Sequence, residues 1–337
     1  MTEPGAPLKF YRGPLPKPGQ GEALIAVDAC GLCHTDVSFL YGGVRPRAQL
    51  PLTLGHEVIG HVVEAPGGNG LTDRTVIVPA VLPCGDCALC RAGRANICRR
   101  QHMPGNDLDG GFASHLVVPA RHLVPVPREM EERRELAVVA DAVSTAYQAV
   151  LRSKVGAGEL VVVVGAGGVG TFAIQAARVL GARVAAIDIS WSRLASVEPW
   201  IDLALDASTL SQRDIKDAIL VLEKQHGLDG PGRKIIECSG SAEGQSTACS
   251  LLTFDGCLVV VGYTRDKIEI RLSDLMAFDA RIIGNWGCLP EHFPPLLELI
   301  ADGRIELEPF VEFHPMSQLN DLLRRQSARR PILLPDF

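Results

Sequence analysis

Cys84, Cys87, Cys90 and Cys98 stand in the spacing C-x2-C-x2-C-x7-C, short enough for one irregular loop to bring four thiolates to a single ion. A closed tetrahedron of sulfur is the coordination of structural zinc and leaves no position for a substrate. An iron–sulfur cluster shares the C-x2-C-x2-C run, but the last gap of seven and the lack of a following Cys-Pro favour zinc. Arg91, Arg94, Arg99 and Arg100 offset part of the thiolate charge. Four of the ten cysteines crowded in this way, in a chain of 337 residues, favour metal ligation over a disulfide framework.

A second set is dispersed: Cys33 in Cys33-His34-Thr35-Asp36, His56 in Gly55-His56-Glu57, and a lone Asp141. One thiolate, one imidazole and one carboxylate can hold zinc with the fourth position open to water or a substrate oxygen. Spacing alone does not establish this set, because a hydrogen-bonded core His56 and an exposed Asp141 fit the same residues. The third pattern is Gly165-Ala166-Gly167-Gly168-Val169-Gly170, a G-x-G-x-x-G directly after four valines and directly before a helical pattern. Gly165 permits the tight turn, Gly167 lets the backbone approach a pyrophosphate, and Gly170 lets helix and sheet pack closely. Asp188, at the end of the next predicted strand, can accept both ribose hydroxyls of an adenosine and would repel a 2′-phosphate, so NAD is preferred over NADP. Arg193, close by in sequence, works against that preference.

The elements that must carry these residues fall into two textures. Residues 22–28 and 54–64 read as short strands with turns between them, and 66–70 followed by 71–78 continues the pattern as a turn and a strand. This is the spacing of an incomplete barrel with long loops. From about residue 143 the order becomes helix at 144–150, strand at 159–164, helix at 169–180, strand at 183–187 and helix at 191–199, as in a parallel sheet with crossover helices. Strand candidates at 234–237, 258–261 and 281–283 extend it. Beyond Trp286, 308–313 reads as extended and 316–326 as helical, and this tail is expected to return to the first domain.

The chain carries 33 Lys+Arg against 39 Asp+Glu, a formal charge of −6, which gives no basic field to attract nucleic acid. The proline-rich opening resembles neither a signal nor a transit peptide. The strongest apolar run, Leu160 to Val164, is broken by Gly165, so no membrane span and a cytoplasmic location are expected.

Gly55-His56-Glu57, the four-cysteine loop and the glycine turn, in this order and over essentially the whole length, resemble the zinc-containing medium-chain alcohol dehydrogenases. The resemblance implies an α/β protein: a GroES-like β-barrel catalytic domain over 1–142, completed by about 286–337, and a doubly wound Rossmann domain over 143–285, with the active site in the cleft between them. It makes Cys33, His56 and Asp141 ligands of a catalytic zinc, with Glu57 behind the metal or exchanging onto it, so that two zinc ions per chain are expected with the cysteine loop. Asp141 occupies a place where the family often has cysteine, and the Ser144-Thr145-Ala146-Tyr147 that follows fixes its alignment. Thr35 matches the hydroxyl that takes the substrate proton, and His34 a residue near the cofactor pyrophosphate. Ser38 stands where liver-type members end the relay with histidine; serine cannot store a proton near neutral pH, so the relay is expected to run through ribose hydroxyls to water. Cys238-Ser239-Gly240, Gly262-Tyr263-Thr264 and Trp286 match positions flanking the cofactor or lining the pocket.

Within the family, the segment from Met103 to His115 is similar to that of 6-hydroxycyclohex-1-ene-1-carbonyl-CoA dehydrogenases of anaerobic aromatic degradation. That implies NAD-linked oxidation of a ring secondary alcohol on an acyl-CoA to its 6-oxo product, with Arg45, Arg47, Arg265, Lys267 and Arg271 as candidates for the CoA phosphates. A polyol, threonine or simple alcohol dehydrogenase shares the same motifs, and a non-catalytic NAD-binding protein would keep only the cysteine zinc. Homodimers and homotetramers both occur in the resembling family.

Overall fold

The computed structural model describes residues 1–67, 70–228, 232–325 and 327–337, which form two compact units. The first comprises Met1–Ser144, Gly287–Ala301 and Glu306–Phe337. Its sheet has seven strands, running Val311–Pro315, Arg330–Leu334, Glu22–Gly31, Glu57–Glu64, Thr75–Val78 and Val124–Pro125, with His115–Pro119 branching off Glu22–Gly31. Strand Glu22–Gly31 serves three partners because they divide its length. Glu22–Ala26 faces His115–Pro119, Cys30 and Gly31 face Leu333 and Ile332, and Glu57–Glu64 runs along the other edge. Ala23, Ile25, Ala29 and Cys30 of this strand are all fully buried, and Ala23, Ile25 and Cys30 belong to the core of the unit.

The second unit, Thr145–Trp286 with Asp302–Ile305, holds a six-stranded sheet. The order is Arg281–Gly284, Cys257–Val260, Lys234–Glu237, Leu160–Val164, Arg183–Asp188, Leu203–Asp206, and every pairing is parallel. Leu160–Val164 is buried at every position, which is why it reads as an unbroken apolar run rather than an alternating one. The strand order reverses between Leu160–Val164 and Lys234–Glu237. At such a switch point the crossovers diverge to opposite faces and leave a crevice at the carboxyl ends of the strands.

Several local expectations need correction. The strand in 54–64 is confined to Glu57–Glu64, since Gly55 turns the chain at φ 96°, and the strand in 71–78 to Thr75–Val78, since Leu71–Arg74 closes a turn with Asp73 at φ 64°. Glu308–Phe310 is a 3-10 turn, not extended chain, because Pro309 lies in its first turn with a fixed φ; only Val311–Pro315 is strand. Residues 191–199 split into helix Trp191–Ser196 and the 3-10 turn Glu198–Trp200, again with proline at the start. The 316–326 segment divides into 3-10 turn Met316–Gln318 and helix Leu319–Leu322, and Gln326 lies outside the described residues, as do Gly68 and Asn69 of the expected turn. Helix His34–Leu40 and strands His115–Pro119, Leu203–Asp206 and Arg330–Leu334 had no place in the sequence reading. Among the described residues, no helix is long and apolar enough to cross a membrane.

Candidate metal centres and dinucleotide turn

Gly31, at the end of the central strand, has no room for a side chain: a Cβ there would lie 2.2 Å from Glu57 Oε2. Past it the chain turns at Cys33 into helix His34–Leu40, and the Asp36 carboxylate reaches back to accept the Cys33 N–H at 3.1 Å. Its other oxygen accepts the Gly55 N–H at 3.1 Å, so one buried acid fastens the cysteine segment to the Gly55-His56 turn. Asp36 Oδ1 also lies 3.5 Å from His56 Nδ1.

Asp141 ends the 3-10 segment Arg134–Ala140, whose Glu135–Ala140 stretch is buried throughout. Its Oδ2 lies 3.5 Å from His56 Nε2 and 3.9 Å from Cys33 Sγ. Cys33, His56, Glu57 and Asp141 each offer a donor atom, and these four atoms lie within 4.8 Å of one another. Tetrahedral zinc with N and O donors at ~2.0–2.1 Å sets those donors about 3.3 Å apart, close to the His56–Asp141 separation. Both ring nitrogens of His56 are buried without a hydrogen bond, although its side chain is wholly inaccessible. Burial opposes a positive imidazole, yet Asp36, Cys33 and Asp141 together outweigh it and raise the His56 pKa. A pocket of donors whose field favours positive charge is suited to a cation.

Glu57 is engaged elsewhere. Arg330 binds it in a fork, Nε to Oε2 and Nη2 to Oε1, both at 2.7 Å, and Oε1 also accepts the Ala142 N–H at 3.0 Å. Arg330 was absent from the candidates, and Asp36 appeared only as part of a motif without a role. Thr35 Oγ1 lies 3.6 Å from Cys33 Sγ, placing a hydroxyl beside the donor cluster. Ser38 is three residues further on the same helix, half-buried, so Thr35 and Ser38 share a face. His34 is exposed at the helix start.

Asp36→Asn keeps the size of the side chain but removes the charge behind His56. Groups that orient a metal-binding histidine carry about 10- to 100-fold in metal affinity, and a loss of that size is expected in a competitive chelator titration. Unchanged affinity would mean Asp36 only braces the backbone.

The four cysteines are all free, with Sγ separations of 3.4 Å for Cys84–Cys98, 3.5 Å for Cys87–Cys90, 3.7 Å for Cys87–Cys98 and 3.9 Å for Cys84–Cys90. Zinc–sulfur bonds of ~2.3 Å require tetrahedral edges of about 3.8 Å, so the set is spaced for one zinc ion. The Cys84 and Arg100 amides point at Cys98 Sγ at 3.4 and 3.3 Å, as donors to a thiolate. The Cys90 backbone N–H draws Cys87 down to about 6, whereas burial pushes Cys90 up to about 12.

In the second unit, Gly165 leaves the strand at φ 92°, and a Cβ on it would lie 2.7 Å from both Ser239 Cα and N. Gly170, the first residue of helix Gly170–Val179, sits so close that its Cβ would be 1.7 Å from Gly165 O. Gly167 is different: the nearest atom to a Cβ there is Arg193 Nη1 at 4.0 Å, so its backbone faces open space. Gly168 is exposed and Val169 half-buried just before the helix. Asp188 is buried, with Oδ2 accepting the Ala166 N–H at 2.7 Å and Oδ1 the Ser190 N–H at 2.9 Å. It therefore ties its own strand end to the glycine turn, and Arg193 Nη1 stands 3.8 Å from it. Ser239, Tyr263 and Trp286 are exposed and Gly262 half-buried.

Comparison with known proteins agrees with both units. Residues 19–128 match the alcohol dehydrogenase GroES-like domain and 168–302 the zinc-binding dehydrogenase domain. An alcohol dehydrogenase of Geobacillus stearothermophilus is 30% identical over 315 residues, 92% of this chain and 89% of that protein. The L-galactonate-5-dehydrogenase of Escherichia coli is 28% identical over 324 residues, 94% and 92% of the two chains. The crystal structure of the alcohol dehydrogenase from Aeropyrum pernix superposes with a TM-score of 0.87 at 27% identity, covering 99% of this chain and 98% of that one. The GroES-like unit with its two donor sets and the Rossmann unit thus lie within the two matched domains' fold, and the chain belongs to the zinc-containing, NAD-dependent medium-chain alcohol dehydrogenases.

Proposed function

We propose that this dehydrogenase oxidises a small polyol or simple secondary alcohol to the ketone. The observation that carries the reading is the convergence of Cys33, His56 and Asp141 donors with the Thr35 hydroxyl beside them. When bound, zinc supplies Lewis acidity toward the alcohol oxygen and NAD the hydride acceptor. Thr35 Oγ1 accepts the alcohol proton and passes it outward; Ser38, one turn on, relays through its hydroxyl but stores no charge. Asp141 in place of a polarisable thiolate donates less electron density and leaves the metal more acidic. Glu57, held by Arg330, acts from behind the cluster rather than as a ligand. Cys84, Cys87, Cys90 and Cys98 hold the structural zinc.

For the cofactor, Gly165, Gly167, Gly168, Val169 and Gly170 receive the pyrophosphate, and Asp188 with Arg193 selects the adenosine ribose. Ser239, Gly262, Tyr263 and Trp286 flank the remaining half. The names of the relatives support small alcohols over the cyclic acyl-CoA. Arg47, one of the cations considered for CoA phosphates, is also 3.4 Å from Asp107. Assembly as a homodimer or homotetramer is supported by the outer strand Arg281–Gly284, which pairs only with Cys257–Val260 among the described residues. Beside it in sequence, helix Leu272–Phe278 leaves Leu272 and Met276 exposed.

Metal analysis with steady-state assays tests this reading. Two zinc ions per chain and NAD-linked turnover of polyols or simple secondary alcohols are expected. Turnover confined to 6-hydroxycyclohex-1-ene-1-carbonyl-CoA would replace the substrate class, and one zinc with NAD binding but no turnover would replace the enzyme reading by a binding protein.

A further inference from the structure

Glu237 ends strand Lys234–Glu237, beside the point where the sheet reverses its order, and it is fully buried. A buried carboxylate is costly unless its oxygens are used, and one of them is. Oε1 accepts the Ser239 N–H at 2.7 Å and the Ser239 hydroxyl at 2.5 Å. With its proton committed to Glu237, the Ser239 hydroxyl accepts the Ser241 N–H at 3.2 Å, and Ser241 Oγ in turn accepts the Gly244 N–H at 3.0 Å at the start of helix Ala242–Ser250. One carboxylate thus fixes the Ser239 hydroxyl, and through it the Ser241 amide, in the connection from strand to helix.

The same residue also holds the neighbouring strand end. The Glu237 carbonyl accepts the Val261 and Gly262 N–H groups at 2.9 and 3.0 Å. Oε2, buried and without a hydrogen-bond partner, presses on Gly262 so closely that a Cβ there would be 2.8 Å away. Gly262 in turn lies against Gly240, whose N would be 2.5 Å from that Cβ. On the other side, the Ser239 backbone lies so close to Gly165 that a Cβ on Gly165 would be 2.7 Å from it. The Ser239–Gly240 loop therefore touches both the Gly165 turn and the Gly262 turn, with Glu237 linking it to the latter.

We propose that Glu237 is the positioning residue of the dinucleotide site: it fixes Ser239–Gly240 and Gly262 as a single floor against which the Gly165 turn is set. This rests on the assignment of these three strand ends to NAD. It gives the buried acid a role at a distance from any bound atom, since Glu237 itself has no exposed surface.

NADH titration followed by fluorescence, with amide hydrogen exchange read in parallel, tests the proposal on the zinc-loaded enzyme. Glu237→Ala should raise the NADH Kd at least about tenfold, as expected for the loss of two hydrogen bonds to a charged acceptor, and speed exchange at Ser239 and Ser241. Glu237→Gln keeps a carbonyl acceptor for Ser239 and should recover most of the affinity. If Glu237→Ala does not fold, Ser239→Ala carries the test, because it deletes only the hydroxyl: the chain should still fold, NADH should bind severalfold more weakly, and exchange at the Ser241 amide should quicken. Wild-type affinity in Glu237→Ala or Ser239→Ala, or a glutamine variant as weak as the alanine one, overturns the proposal alone. Failure of the unsubstituted enzyme to bind NADH overturns the cofactor assignment and the proposal with it.

Discussion

His56→Ala should lower the zinc content from two ions per chain to one and slow alcohol oxidation by about 10³–10⁴-fold, the rate equivalent of several kcal/mol of Lewis-acid stabilisation. His56 is the donor with the fewest alternatives, since both its ring nitrogens are buried and neither is spent on a hydrogen bond. The fold should survive, because Asp36 still accepts the Cys33 and Gly55 amides after the ring is removed. The ion on Cys84, Cys87, Cys90 and Cys98 should stay, as those donors belong to a separate set. Metal analysis beside single-turnover kinetics reads both effects. Two retained zinc ions with undiminished turnover would remove His56, and the cluster with it, from the chemistry.

Arg330→Ala is expected to be the most destabilising single change near the site. It leaves Glu57 fully buried with the Ala142 amide as its remaining hydrogen-bond donor. Breaking one side of a buried ion pair costs roughly 3–5 kcal/mol, whereas replacing both sides by apolar groups of similar size is often neutral or favourable. The double variant Glu57→Leu with Arg330→Met should therefore recover much of the stability lost by Arg330→Ala. Urea unfolding of the single and double variants measures the difference, and a double variant no more stable than the single one would show that the loss comes from packing of the arginine stem. Zinc affinity separates the two roles of the pair: if Glu57 steadies the cluster from behind, the double variant is stable yet binds the catalytic ion more weakly.

What could be read from the sequence depended on how local the cause was. The cysteine loop and the glycine turn are short-range patterns, and four adjacent valines buried on both faces announce a central parallel strand without any alternation to interpret. The two fold types followed from the same textures. The donor set of Cys33, His56 and Asp141 is different, since nothing in their spacing brings them together; the sheet does, by pairing Gly31 with Glu57. Asp36 did carry a signal, an acid three residues into a helix behind the turning residue, which is a capping position. Arg330 carried none: 273 residues from Glu57 and one of the arginines clustered from Arg324 to Arg330, it looks like ordinary surface charge. Asp188 illustrates the opposite limit. Its place at a strand end was legible, but its backbone partners Ala166 and Ser190 depend on how the turn folds over it. The proline-started turns at Glu308–Phe310 and Glu198–Trp200 were misread because apolar and extended-looking residues outweighed a single fixed φ.

The closing of the first unit by strand Arg330–Leu334 has a consequence for biosynthesis. Glu57 and its partner Arg330 are 273 residues apart, so at ~5–20 residues per second the ribosome takes roughly 14–55 s to deliver the second after the first. During that interval the whole of Thr145–Trp286 emerges and can fold as a unit around its own sheet, while the central strand Glu22–Gly31 still lacks one of its three partners. The cysteine loop, complete by Cys98, can capture its ion early; the His56 cluster, backed by Glu57, reaches its final form only when the last strand arrives. The cysteine donors are thus complete long before the His56 cluster is braced, so zinc offered during synthesis would meet the scaffold set first.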